Sequence, residues 1–434
     1  MTAGDLALIA WCDLAGVLRT RPVPLDQLPS KRAHGMGWAA AGIAITAFGD
    51  VADNAWGPLD EFRQIPLDDA AVTVPASHET PALHLHLSRT IDSKGGVDCC
   101  PRTLCEDALA ELREATGWTL VTAFEHEFTV IEAAFRTGHV YSVESIRLAA
   151  RFAHDATSAL RVLGLECFEP EFGKGQFEVS CAPMPGASGP DRALLTREVI
   201  REIARRHGMR ITFSPKPTPE SVGNGLHIHF SFRDDAGRSV LLDRTQPAMI
   251  TAKAASFVAG VLRHMSALTA LCAPTPVSYL RLGPGHWSCG YASFGVQNRE
   301  AALRVCPSPE PDSAAAEASI NLEFRPPDAT SNPYLVVTAL VRAGLQGVRE
   351  QLALPPIVAR DPAKLSAEER AELDVHPLPS TLAEALDALD ADPIARAWLP
   401  PRLYDTFMNI KRMEAARFSR ATPHEVAQAY RDLY

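Results

Sequence analysis

Strict alternation of apolar and polar residues over Leu226-His227-Ile228-His229-Phe230-Ser231, opened by Gly223-Asn224-Gly225, is the pattern that most limits how this chain can fold. A period of two suits a strand with one buried face and does not suit a helix. Leu226, Ile228 and Phe230 then face the core, while His227, His229 and Ser231 leave the other side. The preceding glycines let backbone approach a ligand closely. Phe124-Glu125-His126-Glu127-Phe128 alternates in the same way within a strand expected over Thr119–Val130, so Glu125 and Glu127 share one face. Two like charges side by side in an apolar strand are costly unless a cation sits between them.

Two further segments carry charge in the same manner. Glu171-Phe172-Gly173-Lys174-Gly175-Gln176-Phe177-Glu178 places two carboxylates around a glycine turn. Asn321-Leu322-Glu323-Phe324-Arg325 puts Glu323 and Arg325 on one strand face, and Arg281, Arg299 and Arg304 precede it. Arginine's planar fork suits carboxylate and phosphate groups. Each segment alone is matched by an ordinary solvated strand face or surface ion pair. Together they supply five glutamates and a histidine for two or three hard cations, with arginines beside them. Oxygen-rich ligation favours Mg²⁺ or Mn²⁺, and with no thiol expected among the ligands zinc is disfavoured.

Elsewhere the periodicity divides the chain. Leu6 to about Pro75 reads as short strands, including a hairpin around Asp13-Leu14-Ala15-Gly16, and Leu83-His84-Leu85-His86-Leu87 reads as a strand with a solvated histidine face. Helices are expected over 103–116, 142–163 and 195–207, and again in the acidic stretch from Ser380 onward, interrupted by Pro393, Pro400 and Pro401. Cys306-Pro307-Ser308-Pro309-Glu310-Pro311-Asp312 reads as a loop. The expected fold is therefore α+β, with a small β-rich unit over 1–97 and a large α+β body over 98–434.

Composition removes several functional classes. The 434 residues carry a net charge of −10 without a basic block, which disfavours nucleic acid as a partner. No apolar run is long enough to span a bilayer, and Met1-Thr2-Ala3-Gly4-Asp5-Leu6 does not resemble an export signal. Nine scattered cysteines suit reduced thiols rather than a disulfide framework, so a cytoplasmic location is expected, without a membrane partner.

The order and wording of these segments resemble the glutamine synthetase family from about residue 5 to 434. The resemblance rests on Glu125-His126-Glu127-Phe128, Gly175-Gln176-Phe177-Glu178, Ser214-Pro215-Lys216-Pro217 and Gly223-Asn224-Gly225-Leu226-His227-Ile228-His229. It continues through Ser278-Tyr279-Leu280-Arg281-Leu282, Asn298-Arg299 with Arg304, and Glu323-Phe324-Arg325 with Asn332-Pro333-Tyr334-Leu335. It implies a small N-terminal β-grasp domain and a larger catalytic domain on a curved antiparallel sheet with flanking helices. It also implies ATP, two or three Mg²⁺ or Mn²⁺ ions, small-molecule acid and amine substrates, and a homo-oligomer of hexameric rings, up to a dodecamer. Carried over by position, Glu127, Glu171 and Glu178 hold one metal, and Glu125, His227 and Glu323 the other. Arg299 and Arg304 face the transferred phosphate, Arg281, Arg325 and Gly223 the substrate acid, and His229 with Ser231 the nucleotide.

Departures point to the amine. The family's ammonia-using members carry Asp-Gly-Ser-Ser in the N-terminal domain and a flap glutamate after Pro-Gly. Here the comparable stretches are Gly35-Met36-Gly37-Trp38-Ala39-Ala40-Ala41-Gly42 and Pro284-Gly285-His286-Trp287-Ser288. Trp287 in place of the flap acid suits an amine with carbon attached, and His286 is a candidate base. Val222 replaces the family's asparagine, and Asn321 a basic residue. The expected activity is ATP-dependent joining of glutamate, or a related acid, to an organic amine or polyamine. The alternatives are an ammonia-using glutamine synthetase and a non-catalytic paralogue.

Overall fold

The computed structural model describes residues 4–77, 79–131, 135–285, 288–306 and 314–434. The first sheet has the order β2-β1-β5-β4-β3, from β1 (Leu6–Cys12), β2 (Leu18–Pro24), β3 (Met36–Ala39), β4 (Glu61–Val74) and β5 (Leu83–Ile91). β1 and β2 form the expected hairpin, while β1 and β5 run parallel. This is the β-grasp-like arrangement that the resemblance implies. The solvated face expected for His84 and His86 is not what forms. β5 is an interior strand, so His86 is buried, and burial lowers its pKa.

The second sheet follows the order β13-β14-β15-β11-β6-β8-β7. Its strands are β6 (Thr119–Val130), β7 (Leu165–Pro170), β8 (Gln176–Cys181), β9 (Met184–Pro185), β10 (Ile211–Thr212), β11 (Leu226–Arg233), β13 (Phe294–Val296), β14 (Leu303–Val305) and β15 (Leu322–Phe324), while β12 (Tyr291–Ala292) pairs separately with His376–Pro377. β9 and β10 pair with β6. Along β6 burial alternates strictly, with Leu120, Thr122, Phe124, His126, Phe128 and Val130 inward and Glu125 and Glu127 outward. Phe128, Phe177 and Phe213 pack beneath this sheet, on the face away from the carboxylates.

Helices cover the apolar face. Pro101–Thr116, Ser188–Arg206 and Pro333–Glu350 are tied by a buried cluster: the Arg102 guanidinium donates twice to Asp191 at 2.9 Å, and Tyr334 Oη donates to the same carboxylate at 2.5 Å. The single helix expected over 142–163 is broken into Val143–Leu148, Ala150–Leu160 and a 3₁₀ turn, because Ala149 leaves helical geometry at φ −96°, ψ 10°. Pro393 and Pro401 start helices rather than interrupt them, since the first turn needs no proline N–H. Among the described residues no single helix is long and apolar enough to cross a membrane. Ala252–Arg263 and Met265–Cys272 pass together by length, but they bend by 74° and are largely buried.

Candidate active site

Strand register builds the site. Glu169, Glu178 and Glu127 are successive cross-strand partners on β7, β8 and β6, forming a row of three carboxylates. One pleat along, Glu125 pairs with His227 across β6 and β11. Farther on, His229, Glu323 and Arg304 are partners across β11, β15 and β14. All of these side chains rise from one sheet face, because residues paired in register share a face.

A cavity of ≈ 480 Å³ lies above the rows. Glu125, Glu127, Glu169, Glu171, Glu178 and His227 line it together with Gly223, and Arg281, Arg299, Arg304 and Arg325 supply positive charge. Glu323 is almost fully buried and lies behind Arg304 and Arg325, both of which pair with it. His229 lies behind Glu125, with Nε2 at 3.0 Å from Oε1. Ser231 is farther along β11, opposite Val121, and does not line the cavity. His286 and Trp287 lie outside the described residues.

Hydrogen bonds hold the charged groups in position. Glu127 Oε2 accepts from the Gly225 N–H at 2.7 Å and from Gln176 Nε2 at 3.3 Å. Gln176 also donates to Gly223 O at 2.8 Å and Asn224 Oδ1 at 3.0 Å. Asn224, fully buried, accepts from Thr129 Oγ1 at 2.9 Å and donates to Ser214 O at 2.9 Å, which locks the glycine loop onto β6. Arg281 donates to the carbonyls of Pro326 and Arg325 at 2.9 and 3.1 Å. Glycine is needed at 223: a Cβ there would lie 2.8 Å from Arg281 Cγ and 2.9 Å from Pro215 O. At the turn between β7 and β8, Gly175 adopts φ +71°.

Burial raises Glu178 to about 10, reinforced by the charges of Glu125, Glu127, Glu171 and Glu169. Burial also raises Glu171. Burial would raise Glu125 too, but His229 and His227 overcome it and hold that carboxyl well below its ordinary range. Burial, then Arg325, lowers His227 and keeps it in the neutral form that binds metal. The donor set fits hard divalent cations. Glu125–Glu178–His227 and Glu169–Glu171–Glu178 each bring three ligand atoms within 4.8 Å of one another, and the crowded carboxylates lack the charge balance that a cation provides.

Sequence reading missed four residues. Glu169 joins the carboxylate row, and Tyr141 donates to Glu171 Oε2 at 2.9 Å. Asn224 organises the loop. Cys306 is the fourth, with its sulfur 3.6 Å from His229 Nδ1 and 4.0 Å from Glu323 Oε2.

Residues 98–430 match the family model described as glutamine synthetase, catalytic domain. The chain belongs to the glutamine synthetase family. It is a carbon–nitrogen ligase of that family, whose members generally use ATP and divalent metal ions and usually form oligomers. The gamma-glutamylpolyamine synthetase GlnA3 of Streptomyces coelicolor is 33% identical, covering 98% of this chain and 93% of its own length. A glutamine synthetase of Methanocaldococcus jannaschii is 31% identical over 74% of this chain and 72% of its own. A crystal structure of a novel glutamine synthase homolog superposes over 100% of both chains with 35% identity and a TM-score of 0.90. A GmaS/ADP complex superposes over 97% of this chain and 95% of its own, with 25% identity and a TM-score of 0.83.

Proposed function

We propose that this ligase uses ATP to phosphorylate the γ-carboxylate of glutamate, or a closely related acid, and joins it to an organic amine, with polyamines the favoured class. The observation that carries this reading is the convergence, on one cavity, of a carboxylate row and four arginines. Such a pairing suits transfer of a phosphoryl group between two anions, where positioning and charge neutralisation supply most of the catalysis. Similarity to a gamma-glutamylpolyamine synthetase along nearly the whole chain supports the amine class.

In this reading Glu127, Glu171 and Glu178 hold one divalent ion, and Glu125, His227 and Glu323 the other. The ions supply Lewis acidity and offset phosphate charge when bound. Arg299 and Arg304 steady the transferred phosphate, Arg281 and Arg325 orient the acid beside Gly223, and His229 with Ser231 lies toward the nucleotide. Trp287, where the family's ammonia-using members carry a flap acid, favours carbon over a bare ammonium ion. Each CH₂ buried there contributes about 0.8 kcal/mol, whereas an ammonium ion without a partner acid loses its hydration uncompensated. His286 is the base that takes the amine proton.

The test is phosphate release by purified protein with ATP, Mg²⁺ and L-glutamate, screened against ammonia, alkylamines, ethanolamine and polyamines. A polyamine or alkylamine should give a higher kcat/KM than ammonia, and Trp287→Glu should shift preference toward ammonia. Ammonia outperforming every organic amine would replace this reading with that of a glutamine synthetase.

A further inference from the structure

We propose that Cys306, His229 and Glu323 form a separate binding site for a thiophilic divalent ion of the zinc class, and that its occupancy opposes the hard-cation site. Cys306 lies across the His229 ring from Glu125, and Glu323 reaches the ring with Oε1 3.9 Å from Nε2. Nε2 of that ring faces Glu125, while Nδ1 faces the Cys306 sulfur. Cys306 is buried at the end of β14, and its N–H donates to Asn321 O at 3.0 Å, so its position is set by backbone.

The spacing fits the ion. Tetrahedral zinc with bonds of about 2.3 Å to sulfur and about 2.0 Å to nitrogen requires a sulfur–nitrogen separation of about 3.5 Å. Sγ and Nδ1 are 3.6 Å apart, and Sγ and Glu323 Oε2 are 4.0 Å apart. One ligand atom from each residue lies within 4.8 Å of the others. The two groups assembled from Glu125, Glu169, Glu171, Glu178 and His227 contain only oxygen and nitrogen donors. Sulfur is the difference: thiolate ligation selects zinc-class ions and is a poor match for Mg²⁺.

Several groups oppose binding. Arg304 and Arg325 pair with Glu323, and Asn321 Oδ1 lies 2.8 Å from His229 Nδ1. Binding therefore sends the thiol proton and the Nδ1 proton to solvent, displaces Asn321, and exchanges the Arg304 contact at Oε2 for the metal. Water completes the coordination. Because Glu323 also belongs to the proposed hard-cation set, a zinc-class ion here withdraws a ligand from that set.

The probe is Co²⁺, which reports thiolate ligation in its spectrum whether or not the protein turns over any amine. Co²⁺ is titrated into the full chain in excess Mg²⁺. A near-ultraviolet thiolate-to-cobalt band should saturate at one equivalent per chain, and added Zn²⁺ should remove it. Cys306→Ser, shown folded by circular dichroism, should lack the band. Its Zn²⁺ affinity, read by competition with a chelating dye, should fall at least roughly tenfold, the lower end of what even an outer-shell partner of a metal ligand contributes. Cys306→Ala serves if the serine variant does not fold. With nine free cysteines in the chain, the variant decides the assignment. Absence of a saturating band in the wild type, or its persistence in a folded Cys306 variant, overturns the proposal.

Discussion

Glu127 and Glu178 are direct cross-strand partners on β6 and β8, so their carboxylates leave one sheet face a strand's width apart. Like charges placed this way destabilise a sheet unless a cation joins them. In the proposed reading each is a metal ligand. Glu127→Ala or Glu178→Ala should lower kcat/KM by at least roughly 100-fold while the circular dichroism spectrum stays native. Near-normal turnover in either folded variant rules out the assignment.

The raised Glu178 pKa gives stability a pH signature. The folded state keeps a proton that the unfolded state releases between the ordinary carboxylate range and about 10, so stability falls as pH rises through that window. His229, held well above its ordinary value by Glu125 against the opposing effect of burial, acts in the same direction. Glu125 and Glu323 are held low, and their contribution is lost only at acidic pH. In chelator, Tm should fall between about pH 6 and pH 9, and Glu178→Gln should flatten the slope. Mg²⁺ should bind more tightly as pH rises, because it takes the proton's place. Identical slopes in the two metal-free proteins would contradict this.

Gly223→Ala tests the wall opposite Arg281. The added methyl meets the Pro215 carbonyl as well as Arg281 Cγ, so backbone must move. The KM for glutamate should rise on the order of 10- to 100-fold, with a smaller change in the KM for ATP. Steady-state kinetics with each substrate varied in turn decides it.

Away from the cavity, Arg102→Met leaves Asp191 buried against Tyr334 without its guanidinium. Removing one partner of a buried ion pair costs about 3–5 kcal/mol. Urea unfolding should show that loss, while the KM values of the folded enzyme remain near those of the wild type.

Assembly is the remaining expectation. If this chain forms the hexameric rings that the family resemblance implies, mass photometry should show a large closed ring of identical chains. A fully active monomer would contradict it.

Alternation made much of this site legible. The period of two identified the outward faces of β6 and β11, and with them Glu125, Glu127, His227 and His229. It could not give register between strands. Glu169 faces Glu178 only after a register shift between Leu165 and Cys167, and nothing in the local pattern signals that shift. Cys306 was hidden for a similar reason: it reaches His229 through the pairing of β14 with β15 and of β15 with β11, three strands that are distant in sequence. The histidines of β5 were misread because an isolated strand does not reveal whether it will sit inside a sheet or at its edge.

The carboxylate row behaves as a ruler. Its spacing comes from the hydrogen-bonded ladder, about 4.8 Å from one strand to the next, rather than from side-chain conformation. Charges can therefore be added or deleted at Glu169, Glu178 or Glu127 without moving the remaining marks, provided the ladder between β7, β8 and β6 stays intact. Ligand number can drift by single substitutions while ligand geometry is inherited unchanged, which makes this face of the sheet a natural place for one scaffold to exchange one ion for another.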